Sequence, residues 1–162
     1  MVPSRQVVRP ARDGDLMALQ ELARRTIDAS YRPFLGDENV DAFVGSGASD
    51  EHVAGHLRRG QVLCLEAAGT IVGLAVVEGP TVDLLMVDVR RHREGLGTAL
   101  LARVEELLFV QYESVRLETF VGNTAALAFY EACGWSVTSR TPSDSAMPDR
   151  LELVKHRPVD AT

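Results

Sequence analysis

Three apolar segments, residues 62–67, 71–77 and 82–87, follow one another with only Ala68-Gly69-Thr70 and Glu78-Gly79-Pro80-Thr81 between them. Links this short cannot carry a crossover, so the three segments must be strands paired antiparallel in a meander. An amphipathic helix then begins near Leu96, with Leu96, Leu100, Val104, Leu107 and Leu108 on one face, and residues 115–120 read as a strand again. Strand, helix, strand implies a right-handed crossover to a parallel neighbour. A meander joined to a crossover makes the sheet mixed.

The remaining elements fit around that sheet. Residues 6–10 read as a strand, and Asp13-Gly14-Asp15 supplies a turn and helix cap. Leu16, Leu19, Leu22, Ala23 and Ile27 recur at helical spacing to about Ala29, where residues 32–37 break the helix. Residues 37–59 read as one or two short helices interrupted by Gly45-Ser46-Gly47. Asn123 caps a short Ala-rich helix over 124–132 that stops at Gly134; residues 135–138 and 151–154 are the last strands, with a loop between them. The expectation is an α+β fold in a single domain over residues 1–162, with a mixed central sheet of about six to seven strands and about four flanking helices. A chain of 162 residues, 46% hydrophobic and 25% charged, can bury such a core without covalent or metal staples.

Composition excludes several classes. Two cysteines, Cys64 and Cys133, make no disulfide framework. His52 and His56 lie four apart without a His-Glu-x-x-His arrangement, so they read as a pair on a helix surface and no metal is expected. The net charge, 17 − 23 = −6, disfavours a nucleic-acid partner. No apolar run reaches membrane-spanning length, and the N-terminus lacks a signal-peptide core, so a cytoplasmic protein without a membrane partner is expected.

Chemistry concentrates in residues 87–101, where a strand ends, a basic glycine-containing turn follows and a helix begins. Gly95 and Gly97 permit a tight turn and close approach of a ligand to the backbone. The first amides of the helix have no intrahelical acceptor, and with the helix dipole they suit a phosphate or pyrophosphate. Arg90, Arg91 and Arg93 reverse the sign of an otherwise acidic chain at this point. The P-loop pattern Gly-x-x-x-x-Gly-Lys-Ser/Thr is missing, and Leu100 occupies the third glycine position of a dinucleotide fingerprint.

The string His92-Arg93-Glu94-Gly95-Leu96-Gly97 resembles the Arg/Gln-x-x-Gly-x-Gly/Ala signature of the GNAT superfamily of acyl-CoA-dependent N-acyltransferases, with His92 at the usual Arg or Gln position. The block from Asn123 through Phe129-Tyr130 to Gly134-Trp135 resembles that family's second motif, with Trp135 for the usual Phe, and residues 8–15 look like its first strand and turn. The resemblance covers about residues 6–156. It implies an N-acetyltransferase moving an acetyl group from acetyl-CoA to a primary amine by direct attack. It implies that Leu85, Met86 and Val87 line the pantetheine arm where their strand splays from the next. The amides of Arg93, Glu94, Gly95, Leu96, Gly97 and Thr98 would hold the pyrophosphate, and Asn123 would reach the cofactor. Tyr130 would be the general acid for the leaving thiolate and Glu118, in the strand after the helix, the general base. Homodimerisation is expected from the resemblance and the apolar last strands. Cys133 reads as structural.

The alternative is a non-catalytic acyl-CoA-binding sensor with the same fold; intact Tyr130, Asn123 and Glu118 favour the enzyme. The acceptor, a small molecule or a protein N-terminus, should contact the first-helix region and residues 31–44. There Asp28, Asp37, Glu38 and Asp41 make an acidic surface that suits an amine.

Overall fold

The computed structural model describes residues 5–92, 94–143 and 145–159. Strand β1 (Gln6–Pro10) leads through a 3₁₀ turn (Asp13–Asp15) to the helices α1 (Leu16–Ser30), α2 (Arg32–Leu35), α3 (Asp37–Gly45) and α4 (Ala48–Arg58). The meander follows as β2 (Val62–Ala67), β3 (Thr70–Glu78) and β4 (Thr81–Val87). After a second 3₁₀ turn (Val89–Arg91) come α5 (Leu96–Phe109), β5 (Ser114–Phe120), α6 (Thr124–Ala132), β6 (Ser136–Thr141) and β7 (Arg150–His156). The seven strands form one sheet in the order β1-β2-β3-β4-β5-β7-β6. Every neighbouring pair is antiparallel except β4 and β5, the pair joined through the α5 crossover.

The fold class is as the sequence reads, and the helix count is higher. The stretch between α1 and β2 divides into three helices, α2, α3 and α4, because the chain turns sharply at Gly36 and again at Gly47. The last two strands also run longer than their apolar cores, since β7 ladders with β5 on one side and β6 on the other.

Alternation of side chains gives the sheet two apolar faces. Leu65, Ala75, Val82, Val115, Leu117 and Leu153 pack under α5 and α6 with Leu100, Val104 and Trp135. Val62, Cys64, Leu74, Val76 and Met86 face α1, α3 and α4 with Leu19, Leu22, Val40 and Val53. Adjacent residues such as Leu74 and Ala75 serve opposite layers, the period-two pattern of a strand buried on both sides. A buried polar cluster ties the α5 side together: Glu105 accepts from Trp135 Nε1 at 3.2 Å and pairs with Lys155, whose ammonium also donates to Cys133 O at 2.8 Å. A phenylalanine at position 135 could not make that bond to Glu105.

Candidate active site

The sheet comes apart between β4 and β5. Among the described residues their ladder has one register pair, Thr81↔Arg116, supported by Arg116 N donating to Pro80 O at 3.0 Å. On their other edges both strands stay paired to their ends, β4 with β3 up to Val87 and β5 with β7 up to Phe120. The separation has a local cause. Val76 pairs with Leu84 and Val77 with Val82, so Asp83 is an extra residue bulged from the ladder, and a bulge bends and twists the strand that carries it. The two strands are parallel, so the wedge widens toward their C-terminal ends. Peptide groups along its open edges lack ladder partners, which an amide-rich ligand arm can supply.

Both helices that start at the wide end contribute. Gly95 is the N-cap of α5 with φ +75°, a left-handed conformation, and a Cβ there would meet nothing within 4 Å. Glycine is needed for the turn itself, and the space above it is open. The first helical bond of α5 runs from Ala99 N to Gly95 O, leaving the Leu96, Gly97 and Thr98 amides without an intrahelical acceptor. Gly97 lies beside α6: a Cβ would sit 3.5 Å from Phe129 Cζ, an ordinary contact. The Leu96 side chain is buried in the core, so its contribution is its amide. Asn123 caps α6, its side-chain oxygen accepting from Ala126 N at 3.3 Å.

The arginines of the turn do not form a bare cationic patch. Asp88, almost fully buried, accepts from Arg90 N at 3.0 Å, from Arg90 Nη2 at 2.9 Å and from Arg25 Nη2 at 2.8 Å. Arg91 Nε donates to Glu94 at 2.7 Å, and Arg93 lies outside the described residues. Among the described residues the charges of Arg90 and Arg91 are thus engaged within the turn, and the free amides at the start of α5 remain to face an anion. His92 folds back so that its Nε2 donates to Val87 O at 2.9 Å, tying the loop to the end of β4.

A cleft of about 780 Å³ opens on the α1–α4 side of the wedge; Tyr31, His52, Asp83, Met86, Glu118 and Phe120 are among its walls, and Asn123 reaches it. Met86 thus borders both wedge and cleft, whereas Leu85 and Val87 pack toward the α5 core. Glu118 is half exposed, 3.6 Å from Arg150 Nη1 and directly across the ladder from Glu152. The loop after β5 is pressed against α2, where a Cβ on Gly122 would lie 2.6 Å from Phe34 Cβ. Only glycine admits that approach, which seats Phe34 between Tyr31 and Phe120, with centroids 5.2 and 6.0 Å away.

Tyr130 is buried behind the cleft wall, edge-on to Phe129 at 5.2 Å and Trp135 at 5.9 Å. Burial pushes its phenol well above the ordinary value, and the nearby Tyr31 phenol works in the same direction. Tyr31 is itself pushed up to about 12 by burial.

Residues 17–135 match the Acetyltransferase (GNAT) family. The chain belongs to the GNAT acetyltransferase family. The fold agrees: the GCN5-related N-acetyltransferase of Rhodopseudomonas palustris superimposes with a TM-score of 0.81 at 20% identity, over 97% of this chain and 99% of that one. The PaiA N-acetyltransferase of Thermoplasma acidophilum, solved with coenzyme A, gives 0.78 at 19% identity over 94% and 99%. YncA of Salmonella typhimurium, solved with acetyl-CoA, gives 0.68 at 20% identity over 97% and 96%. No curated protein matches the sequence at a significant level.

Two expectations for this GNAT chain change. Three carboxylates of the acidic surface on α1 and α3 are gathered on one cation: Arg32 pairs with Asp28, with Asp37 at 3.1 Å and with Asp41 at 2.7 Å. His52 and His56 are not a surface pair, because His56 is buried and Asp83 from β4 joins them. His52 Nε2 lies 2.8 Å from Asp83 Oδ2, which raises the imidazole above its usual pKa and holds the carboxyl below the usual range. Their convergence follows from pairing across 31 positions, for which no sequence pattern exists. Among the described residues, no helix is long and apolar enough to cross a membrane.

Asp88 yields a pH prediction. Hydrogen bonds from Arg90 and then Arg25 hold its carboxyl well below the ordinary range. Its contribution is complete above the unfolded value of about 3.9 and is lost as pH falls through the folded value. Both arginines are partly exposed and regain water, so Asp88→Asn should cost about 1–2 kcal/mol at pH 7. Urea titrations should show that gap closing below about pH 4; an equal gap at low pH would remove Asp88 as the clamp.

Proposed function

We propose that this chain transfers an acetyl group from acetyl-CoA to a primary amine by direct attack, within the wedge between β4 and β5. The observation that carries the reading is the wedge itself, whose unpaired edges end at a helix start with free amides. Leu85, Met86 and Val87 would border the pantetheine arm, although Val87 O is occupied by His92. The amides from Glu94 through Thr98, with Arg93, would hold the pyrophosphate, and Asn123 would add its side chain from the start of α6. Arg91 would exchange Glu94 for phosphate, since an exposed pair is worth little.

The thioester supplies the acetyl group and leaves as a thiolate; an N–C bond forms as the C–S bond breaks. Glu118, on the cleft wall, takes the proton the ammonium must lose before its nitrogen can attack. Tyr130, kept protonated by burial, gives its proton to the sulfur, and the second proton that the nitrogen sheds as the amide forms returns to the phenolate. Orientation of amine and thioester supplies the rest. An amine entering from the cleft would meet Tyr31, Phe120 and Glu118, a mixture of aromatic and anionic surface that supports an amine acceptor, small molecule or protein N-terminus. A second copy of this chain is the proposed partner for β6, the exposed outer strand of the sheet; a monomer in light scattering at high concentration would overturn that assembly.

Gly95→Val, forced into a left-handed backbone, and Gly97→Asp, which sets a charge against the phosphates, should both weaken acetyl-CoA binding strongly while the chain stays folded. Calorimetry giving parental affinity in both would place the pyrophosphate elsewhere. Tyr130→Phe should retain acetyl-CoA affinity and lose roughly 10²–10⁴-fold in rate. Glu118→Gln should lose rate mainly at low pH, with the defect shrinking as pH rises and free amine becomes available. Full activity of Tyr130→Phe from about pH 6 to 10 would dismiss the acid role. Acetyl-CoA binding without CoA release, whichever amine of a broad panel is added, would favour the sensor.

A further inference from the structure

We propose that His52, His56 and Asp83 form a binding site for a divalent transition-metal ion of the zinc class, with one coordination position open to the acceptor cleft. His52 and His56 stand one turn apart on α4, their rings edge-to-face at 4.6 Å, and Asp83 is the residue that the β4 bulge pushes out of the ladder toward them. The three donor atoms lie within 4.8 Å of one another. Asp83 Oδ2 is 2.8 Å from His52 Nε2 and 3.8 Å from His56 Nε2. Ligands about 2.0–2.1 Å from a tetrahedral ion are about 3.3 Å apart; the two distances to Asp83 bracket that value, and side-chain rotation within the 4.8 Å cluster would bring the donors onto one ion.

The His56 ring is held in place from its far side. Its Nδ1 is held 2.8 Å from Gln61 Oε1, which fixes the ring with Nε2 directed toward Asp83. At 3.8 Å from Asp83, that buried Nε2 is too far for a hydrogen bond to the carboxylate it faces. A metal-bound histidine characteristically has its second nitrogen held in this way. Arg59 is the cation nearby: its Nε donates to the same Gln61 oxygen at 3.2 Å and its Nη2 is 3.2 Å from His56 Nδ1, on the side of the ring away from Asp83. Two imidazoles and a carboxylate are a donor set that suits zinc with a fourth position free.

His52 and Asp83 both line the cleft, so that fourth position is turned toward the acceptor. An ion there would make an otherwise anionic corner positive. Resting on the acetyl-transfer reading, this favours acceptors that carry a carboxylate or thiolate beside their amine.

The test uses the full chain, stripped with chelator, and zinc or cobalt alone. Calorimetry should give one Zn²⁺ per chain, and Co²⁺ should give the intense visible absorption of a four-coordinate site. His52→Ala and Asp83→Asn, both at partly exposed side chains, should each lower affinity by 100-fold or more while leaving the circular dichroism unchanged. Gln61→Ala, which removes the group that holds His56 Nδ1 and touches neither His52 nor Asp83, should lower it roughly 10–100-fold. Absence of stoichiometric binding, or Asp83→Asn binding as tightly as the parent, overturns the three-ligand site. Neither acetyl-CoA nor an acceptor is present, so failure here leaves acetyl transfer standing, and loss of acetyl transfer leaves the metal site standing.

Discussion

One displaced residue governs this architecture. Asp83, bulged between Val82 and Leu84, bends β4 away from β5 after a single register pair. An intact parallel ladder there would close the sheet and seal both the unpaired edge and the cleft behind it. Leaving those groups unpaired is costly in a buried sheet unless a ligand or water satisfies them. The fold bears that cost between layers that are otherwise well packed: Leu74, Val76 and Met86 beneath α1 and α4, Ala75 and Val82 beneath α5. The same bulge turns the Asp83 carboxylate toward α4, so the residue that opens the sheet also furnishes the cleft with its histidine–carboxylate cluster.

How much of this can be read from the sequence depends on the range over which each feature is encoded. The meander is legible because Ala68-Gly69 and Gly79-Pro80 leave room for nothing but tight turns. The limits of α6 are legible because Asn123 and Gly134 act on their own neighbours. The bulge is not, since Val82-Asp83-Leu84 looks like any alternating strand, and only its register against β3 reveals the extra residue. Residues 37–59 are legible as two short helices because Gly45-Ser46-Gly47 marks their break, whereas α2 is not, since it occupies residues 32–35 of a stretch that reads as a helix break and rests on packing such as Phe34 over Gly122.

Charge is the property that sequence reading treats worst here. Three arginines in one turn suggest a cationic cradle, yet Arg90 and Arg91 are occupied by Asp88 and Glu94. Four acidic residues around α2 and α3 suggest an anionic mouth, yet Arg32 gathers three of them. In both places the counterion is within nine positions, close enough to be seen in a sequence, but pairing is decided by which side chains the turn brings onto one side. What survives this cancellation is fixed in the backbone: the free amides of α5 keep their partial positive charge whatever the side chains do.

That distinction bears on the proton inventory of the site. Glu118 faces solvent and the cleft. Tyr130 lies behind the wall, and the burial that keeps its proton on at neutral pH also makes the proton harder to give up. A phenol so placed transfers its proton only if the phenolate it becomes is stabilised or the acceptor is more basic still. A desolvated thiolate leaving inside the wedge moves toward the second condition, because burial raises its proton affinity for the same reason it raises that of the phenol. The two shifts offset each other when donor and acceptor share one dry environment. The raised value at Tyr130 is therefore compatible with its acting as the acid, and the depth of its burial ties that role to a wedge closed to water.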